Sequence, residues 1–329
     1  MRDMRFDRWS MVCFIVGATV LAQIPAWGGV PGEAIVDNFV ALAKSREQAA
    51  QNISFEYDLL DRSEKAGVLS REAKEHGHII YDLPSNRWTL TVDPIKEGPK
   101  DYRSRTVERW DGVRSYYWVC DNDGHTASGA PLKNPGIVVI GPNQNPHSTV
   151  LLRAFGFDIQ GGSLSHTLHA EPWTYSEDNL EGYGPTIKLK GKYLFTLWLS
   201  KKTGFPLKSE WFGDGNVKDP WETITVQSVA SIGGIELPNS ISLIDRDPAW
   251  NMITTWAVKI DPKSVVINQP DIEKKLDVSY PVGTVIWDHF TNTKTYVGGK
   301  THENWEPVSV EDRLKSVVDE ATKQQKAGP

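Results

Sequence analysis

Apolar and polar residues alternate with a period of two through most of this chain, and that rhythm predicts strands. The segment Tyr193–Phe212 shows it best. Tyr193, Phe195, Leu197 and Leu199 fall on one face of a first run, with Leu194, Thr196, Trp198 and Ser200 on the other. A Lys201-Lys202-Thr203-Gly204 turn follows, and a second run restarts at Phe205-Pro206, where proline opens a strand instead of interrupting one. The pair reads as a hairpin of a wide antiparallel sheet. Further strands are expected over 52–61, 75–82, 87–92, 103–111, 113–121, 186–190, 223–230, 235–244 and 251–260. Turn signals separate them at Trp110-Asp111-Gly112-Val113, Gly233-Gly234 and Asp245–Pro248.

Helical periodicity is confined to a few places. Between Glu33 and Gln51, Val36, Phe39, Val40 and Ala43 follow the i, i+3, i+4, i+7 pattern, with Lys44 and Arg46 trailing. Asn122–Gly184 is rich in Gly, Pro, Asn and His, has one helix-like run at Ser148–Phe155, and reads as a loop-rich insertion. Ser309 with Asp312 marks the start of a last helix bearing Val310, Leu314, Val317 and Ala321 on one face. The expected organisation is therefore a curved-sheet domain over 33–296 with the insertion at 122–184, then a C-terminal helix and tail over 297–329.

Arg2, Arg5 and Arg8 precede an uncharged apolar run, Met11–Ala22, which is short for a membrane span of about 20 residues. This predicts a signal peptide over 1–26 and export to the periplasm or cell envelope, with no integral span after cleavage; an uncleaved anchor is the alternative. The full chain carries −6, and three Arg and two Asp give residues 1–26 +1, leaving −7 for the rest. Such a balance argues against nucleic acid as a partner. Cleavage would remove Cys13 and leave Cys120 alone, so stability must come from burial and not from an intramolecular disulfide. The 13 Trp supply much of the apolar area for it.

The order of elements then resembles a known family. The hairpin Leu197–Leu207 carries Gly204-Phe205-Pro206, and the strand Met252–Ile260 is followed by Asp271-Ile272 and by Tyr280-Pro281-Val282-Gly283-Thr284-Val285 with Asp288. Together with the leading helix these resemble the periplasmic lipoprotein-carrier (LolA/LolB-like) superfamily, and within it large exported members of undefined role. The resemblance implies an α+β, mainly antiparallel fold: a strongly curved unclosed barrel, or half-barrel, wrapped around one or two helices and lined with apolar side chains that hold acyl chains. The chain is longer than the short carriers, and no arginine in it is assigned to the family's gating position.

Catalytic patterns are missing from the sequence. Gly161-Gly162-Ser163-Leu164-Ser165 lacks the closing glycine of a nucleophile elbow, and neither a P-loop nor a dinucleotide fingerprint occurs. His76 and His78 share one face of a strand near Glu75, and His166 and His169 precede Glu171, yet a zinc site needs three or four converging ligands. Asp121-Asn122-Asp123-Gly124 lacks the downstream glutamate of a calcium loop. No enzyme activity, cofactor or metal is assigned. The remaining candidate is aromatic: Phe55, Tyr57, Trp88, Trp118, Phe195, Leu197, Trp198 and Trp256 as the lining of a concave apolar groove for a lipid or acyl chain. The same residues also suit an ordinary core between sheet and helices. Two functions stay open: a non-catalytic envelope protein that binds an amphiphile, or an envelope sensor or interaction module with a filled core and a protein partner.

Overall fold

The strand rhythm resolves into one sheet. The structure, a computed structural model, describes residues 31–95, 105–120, 136–141, 146–157, 163–170, 172–191, 195–213 and 219–297. The expected signal peptide and the expected helix from Ser309 onward lie outside them. A helix, α1 (Pro31–Ala49), leads into the hairpin β1 (Asn52–Lys65) and β2 (Val68–Asp82). Then come β3 (Arg87–Pro94), β4 (Arg105–Trp110), β5 (Ser115–Cys120) and β6 (Ile137–Gly141). Helices α2 (Pro146–Phe155) and α3 (Leu164–Ala170) separate these from β7 (Thr174–Leu180), β8 (Gly184–Lys190), β9 (Phe195–Ser200) and β10 (Pro206–Trp211). The long strands β11 (Glu222–Ile232), β12 (Ile235–Asp247) and β13 (Met252–Ile260) follow, then β14 (Val266–Ile267), α4 (Ile272–Leu276), β15 (Val285–Asp288) and β16 (Thr293–Tyr296).

Strand order is β16-β15-β6-β5-β4-β3-β2-β1-β13-β12-β11-β10-β9-β8-β7, with β14 beside β1, so the sheet has two ends and is unclosed. Neighbours are antiparallel except β6 and β15, which run parallel. The sheet is also curved. One buried cluster runs from Trp88 and Leu90 of β3, through the five strands between, to Leu207 of β10.

Within the span read as an insertion, 122–184, the described residues form β6, α2, α3 and β7. β6 lies inside the sheet, between β5 and β15. Its Ile137-Val138-Val139-Ile140 run is apolar at every position, so alternation does not reveal it, although only Val138 and Ile140 are fully buried. β7 is polar and exposed for nearly its whole length because it is an edge strand.

Two clusters fill one face of the sheet, here called the inner face. In the first, α2 lies on β1–β3 and β10–β13. In the second, Phe39, Val40 and Ala43 of α1 and Leu164 and Leu168 of α3 cover β8 and β9. The helical spacing of the apolar residues in α1 is thus the footprint of one end of the sheet. Glu47 joins α1 to α3 by accepting hydrogen bonds from Ser165 N (2.9 Å) and Ser165 Oγ (2.6 Å).

Gly77 is required by close packing. The Tyr57 ring lies flat across β2, and a Cβ at Gly77 would stand 2.2 Å from Tyr57 Cζ. Gly77→Ala should therefore destabilise the fold by about 1–3 kcal/mol through overpacking, read as a lowered urea midpoint. A midpoint unchanged from the parent would show that the ring is free to move aside.

Candidate functional site

Register decides what the inner face offers. Ile53, Phe55, Tyr57 and Leu59 of β1 sit opposite Tyr81, Ile79, Gly77 and Glu75 of β2. Trp88, Leu90 and Val92 of β3 continue the same rows, as do Trp256, Val258 and Ile260 of β13 on the other side. The result is an aromatic floor, and α2 lies on its centre. Phe155 stacks on Phe55 with ring centroids 4.4 Å apart and planes 14° apart. Phe157, just past the helix, stacks on Tyr81 at 5.3 Å and 24°. The Tyr81 hydroxyl also donates to the Phe157 carbonyl (3.4 Å).

Where α2 ends its cover, a cleft of about 550 Å³ remains over β1, β11, β12 and β13. Its apolar wall is Val150 of α2 with Leu243, Met252 and Trp256 of the sheet. Its polar wall is Asp61, Arg71, Glu222 and Asp245 with Ser63, Ser70 and Thr254. The cleft is thus amphipathic: one side suits a hydrocarbon, the other a polar head. Arg71 reaches Asp61 (3.2 Å) and Glu75 (3.8 Å), and Arg153 reaches Glu222 (2.5 Å). Asp61 is almost fully buried and accepts a hydrogen bond from Trp256 Nε1 (3.2 Å). Burial pushes its carboxyl above the ordinary aspartate range, while Arg71 and the indole N–H pull against that shift. Deeper in the sheet, burial raises the Tyr57 hydroxyl far above the ordinary phenol range, and Glu75 and Glu108 add to the rise.

At the far end of α2 an arginine joins three elements. Arg46 of α1 donates from Nη2 to the Phe155 carbonyl (3.1 Å), and its guanidinium sits 5.1 Å from the centroid of the Phe205 ring. Its Nε and Nη1 are buried without hydrogen-bond partners. Burial lowers its pKa to about 10, opposed by Glu47 and Glu236. The charge faces the last carbonyls of α2, where a helix carries partial negative charge.

The eight residues expected to line a groove do not share one surface. Phe55, Tyr57, Trp88 and Trp256 meet in the first inner cluster, while Phe195 and Leu197 belong to the second. Trp118 and Trp198 lie on the opposite, outer face. Trp118 pairs with Val107 and Val138, and Tyr280 packs edge-on against it at 5.5 Å. Trp198 pairs with Lys188 and Lys208, whose amines stand 4.6 and 4.7 Å from its ring centroid, and it donates to Asp178 Oδ2 (2.8 Å). The reason is the pleat: Trp198 follows Leu197 directly, so the two must point apart. Their near-complete burial comes from different covers, α1 and α3 on one side and lysine stems on the other. Sequence reasoning missed the role of Phe155 and Phe157. Their signal was the apolar helix-like run at Ser148–Phe155, which has no partner until the sheet is folded.

The pleat likewise parts His76 and His78 from Glu75. His76 and His78 face outward and Glu75 inward; His76 Nδ1 lies 2.9 Å from Asp58 Oδ1, and His78 Nε2 lies 3.0 Å from Ser54 Oγ. His166 and His169 are exposed on α3. Among the described residues no group of three or more His, Cys, Asp or Glu is placed to hold a metal ion.

No protein-family model matches the chain, and no curated protein matches it. Solved structures to which it is similar include a DUF1329 family protein from Desulfovibrio piger (10% identity, 74% of this chain and 97% of that one, TM-score 0.43). A LolA superfamily protein from Nitrosomonas europaea is another (12% identity, 76% and 99%, TM-score 0.41). A third is MucB in complex with MucA(peri) (9% identity, 71% and 99%, TM-score 0.21). The second of these bears the name of the superfamily that the sequence resembles. Among the described residues no helix is long and apolar enough to cross a membrane, which leaves membrane β-barrels unaddressed.

The Asp61 shift carries a sign. The folded chain holds this proton more tightly than the unfolded chain, so protonation contributes stability below the ordinary aspartate range, about 4. That contribution is lost as pH rises through the raised folded value. Asp61→Asn keeps an acceptor for Trp256 and cannot ionise. In urea denaturation at a series of pH values, the stability of the parent relative to Asp61→Asn should be greatest in acid and decline toward neutrality. A difference independent of pH would remove Asp61 from the list of perturbed groups.

Proposed function

We propose that this is an exported, non-catalytic binding protein of the cell envelope that holds a lipid or similar amphiphile on the inner face of its sheet. One observation carries the reading: a cleft of about 550 Å³ that joins apolar and charged walls beside the aromatic floor. Ligand sites begin at about 300 Å³ and combine apolar lining with a few placed polar groups. In this reading the sheet acts as a half-barrel around α2, and α2 is a plug. Phe155 and Phe157 occupy the floor that an acyl chain would take, and the cleft is where such a chain enters.

A second reading, an interaction module with a permanently filled core, is favoured by β7. Its residues from Thr174 to Asn179 are exposed, and among the described strands nothing pairs with its outer edge. An open edge is a template for a partner strand.

The two readings separate at α2. Phe155→Ala removes a stacked ring at a cost of about 3–5 kcal/mol. If α2 is a plug, the folded variant should take up more of a fluorescent fatty acid than the parent, and Met252→Asp at the cleft wall should abolish uptake in both. Native mass spectrometry of the protein from its source envelope, followed by organic extraction, identifies the ligand. A parent and a Phe155→Ala variant that are both empty and both refuse the fatty acid would favour the interaction module.

A further inference from the structure

The outer face carries a second cleft, on the opposite side of the sheet from the first. The chain from α4 onward crosses β2–β5 as a strap. Thr89 Oγ1 donates to the Leu276 carbonyl (3.2 Å), Arg87 and Arg109 both reach Asp277 (3.2 and 3.3 Å), and Tyr280 packs on Trp118. Between strap and sheet these attachments leave a cleft of about 380 Å³.

Its lining is chemically one-sided. Basic side chains enter from three elements: His78 from β2, Arg105 from β4 and Lys275 from α4. Thr91 of β3 and Ser279 of the strap add hydroxyls, and Trp118 supplies an apolar wall. No carboxylate is among the described residues that line it. Asp93 pairs with Arg105 Nε (3.3 Å) from outside the lining and steers the guanidinium. In a chain with more acidic than basic residues, such a lining is not a sample of the average surface.

We propose that this outer-face cleft binds a phosphate group carried on a small, partly apolar stem. Two cationic side chains on separate elements and two hydroxyls, with the His78 ring beside them, converge on one cleft; even with His78 Nε2 on Ser54 and Arg105 Nε on Asp93, the remaining N–H and O–H groups suit the several oxygens of a phosphate better than the two of a carboxylate. The volume left beside Trp118 takes the stem. A phospholipid headgroup and a soluble phosphate ester present this same chemistry. The cleft does not depend on the inner-face reading, and either can fail alone.

His78 reports on occupancy. Burial, Lys275 and His76 lower its pKa, opposed by Glu56 on β1, and Arg105 stands across the cleft. A bound anion opposes the lowering. In NMR titrations of the full chain, with the His78 resonance assigned by its loss in His78→Gln, inorganic phosphate should therefore raise the His78 pKa. Calorimetry should show phosphate affinity falling about ten-fold or more in Lys275→Glu, the loss of one charge-assisted hydrogen bond, and falling also in Thr91→Val. Sedimentation with phosphatidylglycerol vesicles, lost in Lys275→Glu, identifies a lipid headgroup. Binding of phosphate and glycerol phosphate without vesicle binding identifies a soluble ester. A His78 titration untouched by phosphate, or affinity unchanged in Lys275→Glu and Thr91→Val, overturns the proposal.

Discussion

A strand sends successive side chains to opposite faces, and this sheet does not close to hide either of them. Both faces must therefore be covered by something else, and the rest of the molecule follows from that demand. On the inner face α2 covers the centre, while α1 and α3 cover the end at β8 and β9. On the outer face α4 and the strap after it cover β2–β5, and lysine stems shield Trp198. Both clefts lie where such a cover stops short of the sheet, which is why each combines an apolar floor with charged residues at its margin.

Among these covers α2 is the one on which the functional reading turns. Aromatic stacking of Phe155 on Phe55 and Phe157 on Tyr81 is worth about 0.5–1.5 kcal/mol per pair beyond area burial, and a ligand must replace both burial and stacking to displace it. An acyl chain offers the burial, at about 0.8 kcal/mol per methylene, but not the stacking. Arg46, bound to the Phe155 carbonyl and lying over Phe205, ties the C-terminal end of α2 to α1.

The charges divide the two faces as well. Inner-face carboxylates such as Asp61 and Glu222 are held by single arginines, Arg71 and Arg153, at the lip of an amphipathic cleft. The outer cleft gathers basic groups with their carboxylates set back from the lining. The two clefts, one on each side of the same sheet, thus differ in the charge of their linings.

The sequence by itself determined most of the strands and the leading helix. Period-two alternation in β1, β3 and β9–β13 and the spacing of Phe39, Val40 and Ala43 are local consequences of half-buried elements, and each leaves its mark on its own residues. It did not reveal β6, apolar at every position, or β7, polar because it is an edge. The candidate site was legible only in part. Phe55, Tyr57, Trp88 and Trp256 were readable as a set because their strands alternate cleanly, while Trp118 and Trp198 needed the register to reveal the face they occupy. That Phe155 fills the floor, that Gly77 yields its space to Tyr57, and that His78, Arg105 and Lys275 meet in one cleft were decided by tertiary structure alone. Alternation tells which residues share a face within one strand. Which strands lie side by side, and what covers them, is set by pairings between residues as far apart in the chain as Ile53 of β1 and Ile267 of β14, and no local pattern encodes those.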